Sequence, residues 1–430
     1  KPSSAASDVY KRQISDGLYS IDPNIGDYDN DKDELIAMAG TVGFEPPFDI
    51  KGNRITVEGK NFRYTDRKIR SIRSNPLTAL PYDQIPRSVG GLTPIGTYFD
   101  GTVRPGTVFG TGPSGYRANT TGDYGTLNAF VLVDSNDQPR FPPRDGTEGT
   151  PESLTANEVR TIIRNALTIA FRARAQIRRP LGSHAQVTVS VVDTNGSILG
   201  IARTPDGPVF GTDVSLQKAR TAAFFSNTNT AADLIRANLG NYWLAAKAVL
   251  GPGALSDGTA FADRSGGNLS RPFFPDGIDG APHGPFSKPF SEWSPFNVGL
   301  QLDLIAANIV AHRSFLLGQS STDTPMNCTP IPVRPQTSKS PVANGIQIFP
   351  GSVPIYRNNT LIGGIGVSGD GIDQDDMISF LGLHNAGLEL GTGVGNAPRL
   401  IRADNLEVPG GRLRYVNCPF LPFLLSLIHI

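Results

Sequence analysis

The sequence predicts an α/β (α+β) fold in which an antiparallel sheet is flanked by helices. Three observations lead to this class. A capped amphipathic helix at 153–180 is followed by a hairpin signal at 185–204 and by a group of short strands at 345–369. Strands that are joined by tight turns run antiparallel, and the helices between them must pack on the faces of their sheet.

The first helix, SLTANEVRTIIRNALTIAFRARAQIRRP (153–180), carries signals at both ends. Thr155 and Glu158 form a T-x-x-E capping box, and Pro180 ends the helical pattern. Apolar residues between these ends recur at the spacing of one helical face. They are Val159, Ile162, Ile163, Ala166, Ile169 and Ala170. We expect this helix on one face of the sheet and the later helices on the opposite face.

Strand signals follow the helix. AQVTVSVVDTNGSILGIART (185–204) alternates β-branched residues around Asn195-Gly196, a pair that favours a hairpin because both turn positions need positive φ. A helix is predicted from Asp213 to Phe225, with Asp213 as its N-cap. GIQIFPGSVPIYRNNTLIGGIGVSG (345–369) contains three short strands joined by Gly/Pro and Asn-Asn turns, and a helix beginning DQDD follows it.

Two segments near the start of the chain resemble two segments near its end. DKDELIAMAG (31–40) resembles DQDDMISFLG (373–382), and ITVEGKNFRYTD (55–66) resembles LEVPGGRLRYVN (406–417). This long-range sequence repeat predicts the duplication of a domain and not a short-period solenoid.

The repeat predicts a division of the chain into three parts. Residues 14–75 are the C-terminal remnant of a first copy, 76–150 are a Gly/Pro-rich inter-domain connection, and 151–424 are a second copy. Within the second copy, residues 227–345 are expected to form a long loop-rich insertion with one clear helix at 296–315. The end segments DVYKRQ (8–13) and LSLIHI (425–430) can be encoded by one DNA sequence and its reverse complement, so we interpret them as translated sequencing adapters.

Composition excludes some function classes. The 39 acidic and 39 basic residues balance, so no net field favours nucleic acid or an anionic membrane. No apolar stretch reaches the length of a membrane span. Cys328 and Cys418 are the only cysteines, and their spacing is compatible with either one disulfide or two separate thiols. Scarce cysteines and loops rich in glycine, asparagine and proline favour a periplasmic or secreted protein.

Several motifs, taken together, resemble the GlcG/HbpS family of haem-binding-type domains, which also occur at the C-terminus of PduO-type proteins. The motifs are VSVVDTNGSILGIARTPD (189–206), the helix with Lys218 and Thr221, FPGSVPIY (349–356) and IGGIGVSGDGIDQDD (362–376). The resemblance implies a compact, often homo-oligomeric domain, some members of which bind haem. Because the haem ligand differs among members, no axial ligand is carried over to this sequence.

The resemblance makes haem, or a similar planar carboxylated molecule, the expected ligand. Neutral imidazole is a good axial ligand for haem iron, and lysine or arginine can pair with propionates. We expected a pocket between helix and sheet, in which glycines let a flat ligand approach the backbone. The candidate residues are His384, His184, Lys218, Arg203, Thr221, Pro350, Gly351, Gly364 and Gly366.

Other sites have weaker support. Asp27, Asp29 and Asp31 alternate as in a calcium loop, but the glycine of an EF-hand is replaced by Lys32, so a solvated acidic loop is the alternative. No catalytic motif is present, and no catalysis is assigned. The leading expectation is therefore binding of a small planar ligand, and the alternative is a structural or assembly module of the same fold.

Overall fold

A computed structural model describes residues 106–425, apart from 120–121, 179, 181, 276, 278–279, 293–297, 325–326 and 420–421. It also describes scattered residues between 32 and 86, among them helix α1 (Lys32–Thr41) and strands β1 (Thr56–Val57) and β2 (Lys60–Asn61). The adapter interpretation of 8–13 and 426–430 lies outside the described residues.

A sheet of seven strands forms the centre of the described structure. Along the chain these strands are β3 (Tyr116–Ala118), β4 (Phe130–Leu132), β5 (Thr188–Val192), β6 (Ile198–Arg203), β7 (Ser352–Arg357), β8 (Thr360–Ser368) and β9 (Val394–Asn396). Their order in the sheet is β3-β4-β6-β5-β8-β7-β9, and all neighbours are antiparallel. The predicted class, an antiparallel sheet flanked by helices, is confirmed.

Eight further helices surround this sheet within the described ranges. They are α2 (Ala156–Arg172), α3 (Gly211–Phe225), α4 (Thr230–Arg236), α5 (Gly240–Leu250), α6 (Asp263–Leu269), α7 (Leu300–Asp303), α8 (Ala306–Leu316) and α9 (Ile372–Leu390). A short hairpin of β10 (Glu407–Val408) and β11 (Gly411–Arg412) follows α9.

The beginning of α2 is built as its sequence predicts. The Thr155 side chain accepts a hydrogen bond from the Glu158 amide, and the Glu158 carboxylate accepts one from the Thr155 amide at 2.9 Å. Such a cap contributes on the order of 1 kcal/mol. Arg357 on β7 also donates to both oxygens of Glu158, at 2.9 Å each, which ties the helix start to the sheet.

The two faces of the sheet carry different helices. Val189 and Val191 face α2 in the main core, whereas Ser190, between them, points to α3, where its hydroxyl lies 2.8 Å from that of Ser215. Helix α9 packs beside α2, so closely that a Cβ on Gly382 would lie 2.6 Å from the Cα of Ala166. The expectation that only the first helix occupies its face is therefore wrong: the first and last helices share it.

The domain boundary expected at residue 150 is also wrong. Strands β3 and β4 lie within the segment that we interpreted as an inter-domain connection, yet they extend the sheet through the pairing of Phe130 with Arg203. The apolar run FVLVD (130–134) is typical of a strand, but its pairing with a strand about 70 residues later leaves no local trace in the sequence.

The insertion contains more helix than expected. Helices α4 to α8 lie within 227–345, and the helix predicted at 296–315 is split into α7 and α8. A second apolar core joins this region to the end of α3; among its members are Phe224, Phe225, Leu234, Leu255, Phe261, Leu269, Phe286 and Leu300. The insertion therefore packs against the rest of the domain through this second apolar core.

The repeated segments show the same local pairing. The paired residues are Thr56 with Asn61 and Val57 with Lys60 in one hairpin, and Glu407 with Arg412 and Val408 with Gly411 in the other. Each pair of the first hairpin aligns with a pair of the second in the sequence repeat. The duplication itself stays a prediction.

Candidate functional site

The pocket predicted between helix and sheet is filled by α3. A Cβ on Gly364 would lie 2.2 Å from the Ala219 carbonyl oxygen, and one on Gly366 would lie 2.0 Å from that of Ser215. Both distances are far below van der Waals contact, so only glycine allows the helix backbone to rest on β8. The close approach that we expected a flat ligand to use is therefore used by the helix itself.

Lys218 and Thr221 are also engaged within the protein. The Lys218 ammonium donates at 2.9 Å to the Val367 carbonyl oxygen and at 2.9 Å to the Asp375 carboxylate, and both side chains are buried. The Thr221 hydroxyl donates to the Gln217 carbonyl oxygen and accepts from the Gln347 amide. A ligand carboxylate would have to displace Asp375 from Lys218.

Pro350 and Gly351 form the buried turn that leads into β7. Gly351 has φ of +135°, and a Cβ there would lie 2.5 Å from the Val367 carbonyl oxygen and 2.7 Å from the Lys218 nitrogen. The turn therefore packs directly on the Lys218–Asp375 pair. The structure brings four of the predicted site residues together, but in a packed region and not around a pocket: Lys218, Gly351, Gly364 and Gly366.

Carboxylates outnumber cations around this pair. Burial raises the pKa of Asp375 to about 7, although Lys218 lowers it, and burial raises the pKa of Asp376 to about 6, although Arg264 lowers it. Asp263 is fully buried, and burial raises its pKa well above the ordinary value, although Lys218 and Ser352 lower it. Desolvation thus exceeds the attraction of each neighbouring cation.

Arg203 lies on the α3 face of the sheet, at the end of β6. It is 1% exposed, and its guanidinium carbon lies 4.5 Å from the Tyr116 ring centroid and 5.5 Å from that of Phe109. Burial lowers the pKa of Arg203. Nη1 has no hydrogen-bond partner within the described part of the chain. This arginine is covered by aromatic rings, away from both candidate histidines.

The His184 ring is held by local contacts. Its Nδ1 lies 2.8 Å from the Ala185 carbonyl oxygen, its Nε2 lies 3.3 Å from the side-chain Nε2 of Gln186, and its ring centroid lies 4.9 Å from that of Phe171. Coordination of iron would remove one of the two nitrogen contacts. The structure thus gives His184 a structural setting at the end of α2.

His384 has a different setting. It is exposed on α9, and its imidazole makes no hydrogen bond to any described residue. Residues three and four apart on a helix share a face, so His384 lies on the same face as Leu381 and Phe380 and one turn beyond them. Met377 continues this stripe toward the beginning of the helix.

A largely apolar groove lies along that stripe. Its volume is about 420 Å³, within the range of small-molecule sites. We call it the α9 groove, and it is lined by Met377, Phe380, Leu381, Val416, Asn417 and Cys418. One wall is therefore helix α9, and the other is the segment that follows β11.

Buried polar groups fix the second wall in place. The Asn417 amide donates to the Asp376 carboxylate at 2.9 Å, and Arg264 donates to the same carboxylate at 2.5 Å. Asn268 and Ser265 on α6 hold the backbone of Arg414 by hydrogen bonds of 2.9 and 2.6 Å. The insertion, through α6, thus positions the groove.

Arg402 contacts Phe380, a residue of the α9 groove wall, and was missed by sequence reasoning. Its guanidinium carbon lies 5.2 Å from the Phe380 ring centroid and 5.4 Å from that of Tyr415, while Nε donates to the Ala397 carbonyl oxygen at 2.8 Å. Nothing in the local sequence RLIRADN indicates this role, because two short 3-10 turns carry the side chain to the helix.

The cysteines are unpaired in the structure, which favours the alternative of two thiols over a disulfide. Burial and the charge of Asp373 raise the pKa of Cys418, so its thiol stays protonated at neutral pH. Among the described residues, no three His, Cys, Asp or Glu side chains are grouped as metal ligands. The candidate calcium residues Asp27, Asp29 and Asp31 lie outside those residues.

One protein-family model matches a part of this chain. Residues 306–383 match the family model HbpS-like, which is described as "Haem degrading protein HbpS-like". The chain contains an HbpS-like segment. The predicted resemblance to this family is thus confirmed. The HbpS-like segment spans α8, β7, β8 and α9 as far as Leu383, and it includes the helical wall of the α9 groove.

Two other comparisons were made. The crystal structure titled "Crystal Structure of PduOC:Heme Complex" is 16% identical, with 57% of this chain and 99% of that chain covered and a TM-score of 0.25. The search of curated proteins gave no match. Within the described residues, no helix is both long and apolar enough to span a bilayer.

Proposed function

We propose that this domain binds haem, or a similar planar tetrapyrrole, in the α9 groove, with the His384 imidazole as the axial ligand. The observation that carries the proposal is the single helical stripe of Met377, Phe380, Leu381 and His384, three of which line the groove. A flat apolar ring gains most from such a wall, since burial of apolar surface drives binding. The HbpS-like segment, which contains most of the stripe, supports a haem-related ligand.

Bound haem would supply an iron atom that an imidazole nitrogen can ligate. The exposed imidazole of His384 could hold this iron without the loss of a hydrogen bond to any described residue, whereas His184 would lose one. No catalytic step is proposed.

Titration with haemin tests the proposal. We expect wild-type protein to shift and sharpen the Soret band to saturation, and His384→Ala to weaken haemin binding by about tenfold or more, or about 1.4 kcal/mol. His283→Ala and His184→Ala serve as matched controls and are expected to leave the spectrum unchanged. Iron-free protoporphyrin should bind wild type and His384→Ala equally, because it offers no axial position. A wild-type spectrum that haemin does not alter would refute the function.

One observation favours a second candidate, a structural or assembly module of the same fold. Helix α8 has no buried residue, and its Ile309 and Val310 are 48% and 63% exposed. An apolar face of this kind is typical of a surface that another protein covers. Under this alternative, haemin leaves the spectrum unchanged and the mass in solution exceeds that of one chain.

A further inference from the structure

Arg402 is a basic side chain that contacts Phe380, one of the residues of the helical wall of the α9 groove. Its guanidinium lies beside the Phe380 ring, and Phe380 lines the groove. Only Nε is used in a hydrogen bond within the described residues, to the carbonyl oxygen of Ala397. The two terminal nitrogens are thus the groups that can serve a ligand.

Within the described part of the chain, the charge of Arg402 has no carboxylate partner. No ion pair involves this side chain among the described residues, and Asp404, two positions later, forms none with it. By contrast, Lys218, Arg264 and Arg357 are each paired with a carboxylate in the protein. Packing between the rings of Phe380 and Tyr415 holds the guanidinium in place at little further entropic cost.

We infer that Arg402 makes the α9 groove selective for planar ligands that carry a carboxylate, an inference that rests on the proposed function. An arginine fork can bind both oxygens of a carboxylate, and its planar geometry fits that group better than an ammonium does. Ligand rings would then occupy the apolar lining, while an acidic side arm reaches Arg402 at the rim. Arg402 thus takes the carboxylate-binding role for which the sequence suggested Lys218 and Arg203.

Esterification of the ligand tests the inference without any change to the protein. Haemin and haemin dimethyl ester share the ring and the iron but differ in the charge of their side arms. We expect wild-type protein to bind the ester about tenfold or more weakly than haemin, because the ester gives Arg402 no anion. Arg402→Gln should bind haemin as weakly as wild type binds the ester, and it should show no preference between the two ligands.

Arg399→Gln is the matched control, since Arg399 is an exposed arginine three residues away, and it should keep the preference for haemin. Equal affinities of wild type for haemin and its ester would overturn the inference and leave the proposed function intact. Absence of binding for both ligands would overturn both. Should Arg402→Gln unfold, the comparison of the two ligands on wild-type protein still decides the matter.

Discussion

Gly366→Ala is expected to destabilise the domain by about 3 kcal/mol or more, toward the upper end of overpacking costs. The new Cβ would lie 2.0 Å from the Ser215 carbonyl oxygen and 2.5 Å from the Ala219 nitrogen. Both are backbone atoms of α3, so no side-chain rotation can relieve the clash. The helix must then move away from β8, with loss of the packing between them. Urea unfolding followed by circular dichroism measures the change in free energy.

Gly395→Ala is the control for this experiment. Gly395 lies on β9 of the same sheet, and a Cβ there meets no atom within 4 Å. Its free energy of unfolding should stay within roughly 0.5–1 kcal/mol of wild type. Equal effects of the two substitutions would show that α3 does not rest on β8 as the structure has it.

Lys218→Met is expected to cost about 3–5 kcal/mol, because it leaves the Asp375 carboxylate buried without its cation. Methionine keeps most of the volume of the lysine stem, so the loss reports charge and hydrogen bonding more than cavity formation. Thermal unfolding should show a lower midpoint for Lys218→Met, whereas the exposed Lys339→Met should stay close to wild type. The double variant Lys218→Met/Asp375→Asn should recover part of the loss, since no charge is then stranded.

The destabilisation caused by Lys218→Met should depend on pH. Burial already raises the pKa of Asp375 to about 7, and removal of Lys218 raises it further. An acid with a raised folded-state pKa holds a proton that the unfolded chain has lost, so stability falls as pH rises toward that pKa. The loss should therefore be smaller near pH 5 than near pH 8, by about 1 kcal/mol or more. A loss that is equal at both pH values would contradict the stranded-charge explanation.

Local signals predicted the parts of the fold that depend on short sequence distances. The capping box of Thr155 and Glu158 begins α2, and Asn195-Gly196 forms the turn between β5 and β6. These elements are specified by residues within a few positions of one another. In contrast, the pairing of β4 with β6 and the placement of α9 beside α2 depend on contacts between distant segments, which a single sequence does not display.

The candidate site shows the same division. Gly364 and Gly366 were expected to let a flat ligand approach the backbone, whereas the structure has the backbone of α3 packed against them. His384 was chosen for its imidazole, and only the structure places it on the stripe that lines a groove. Arg402 carried no signal, because its contact with Phe380 arises from chain folding after β9.

The central claim is that a planar ligand binds along α9 and not between α3 and the sheet. Hydrogen–deuterium exchange of the protein with and without haemin tests it most directly. With haemin bound, we expect slower exchange in peptides that cover Met377–His384 and the segment 413–418, and little change in peptides from α3. Slower exchange confined to α3 and β8, with the α9 groove unaffected, would contradict it.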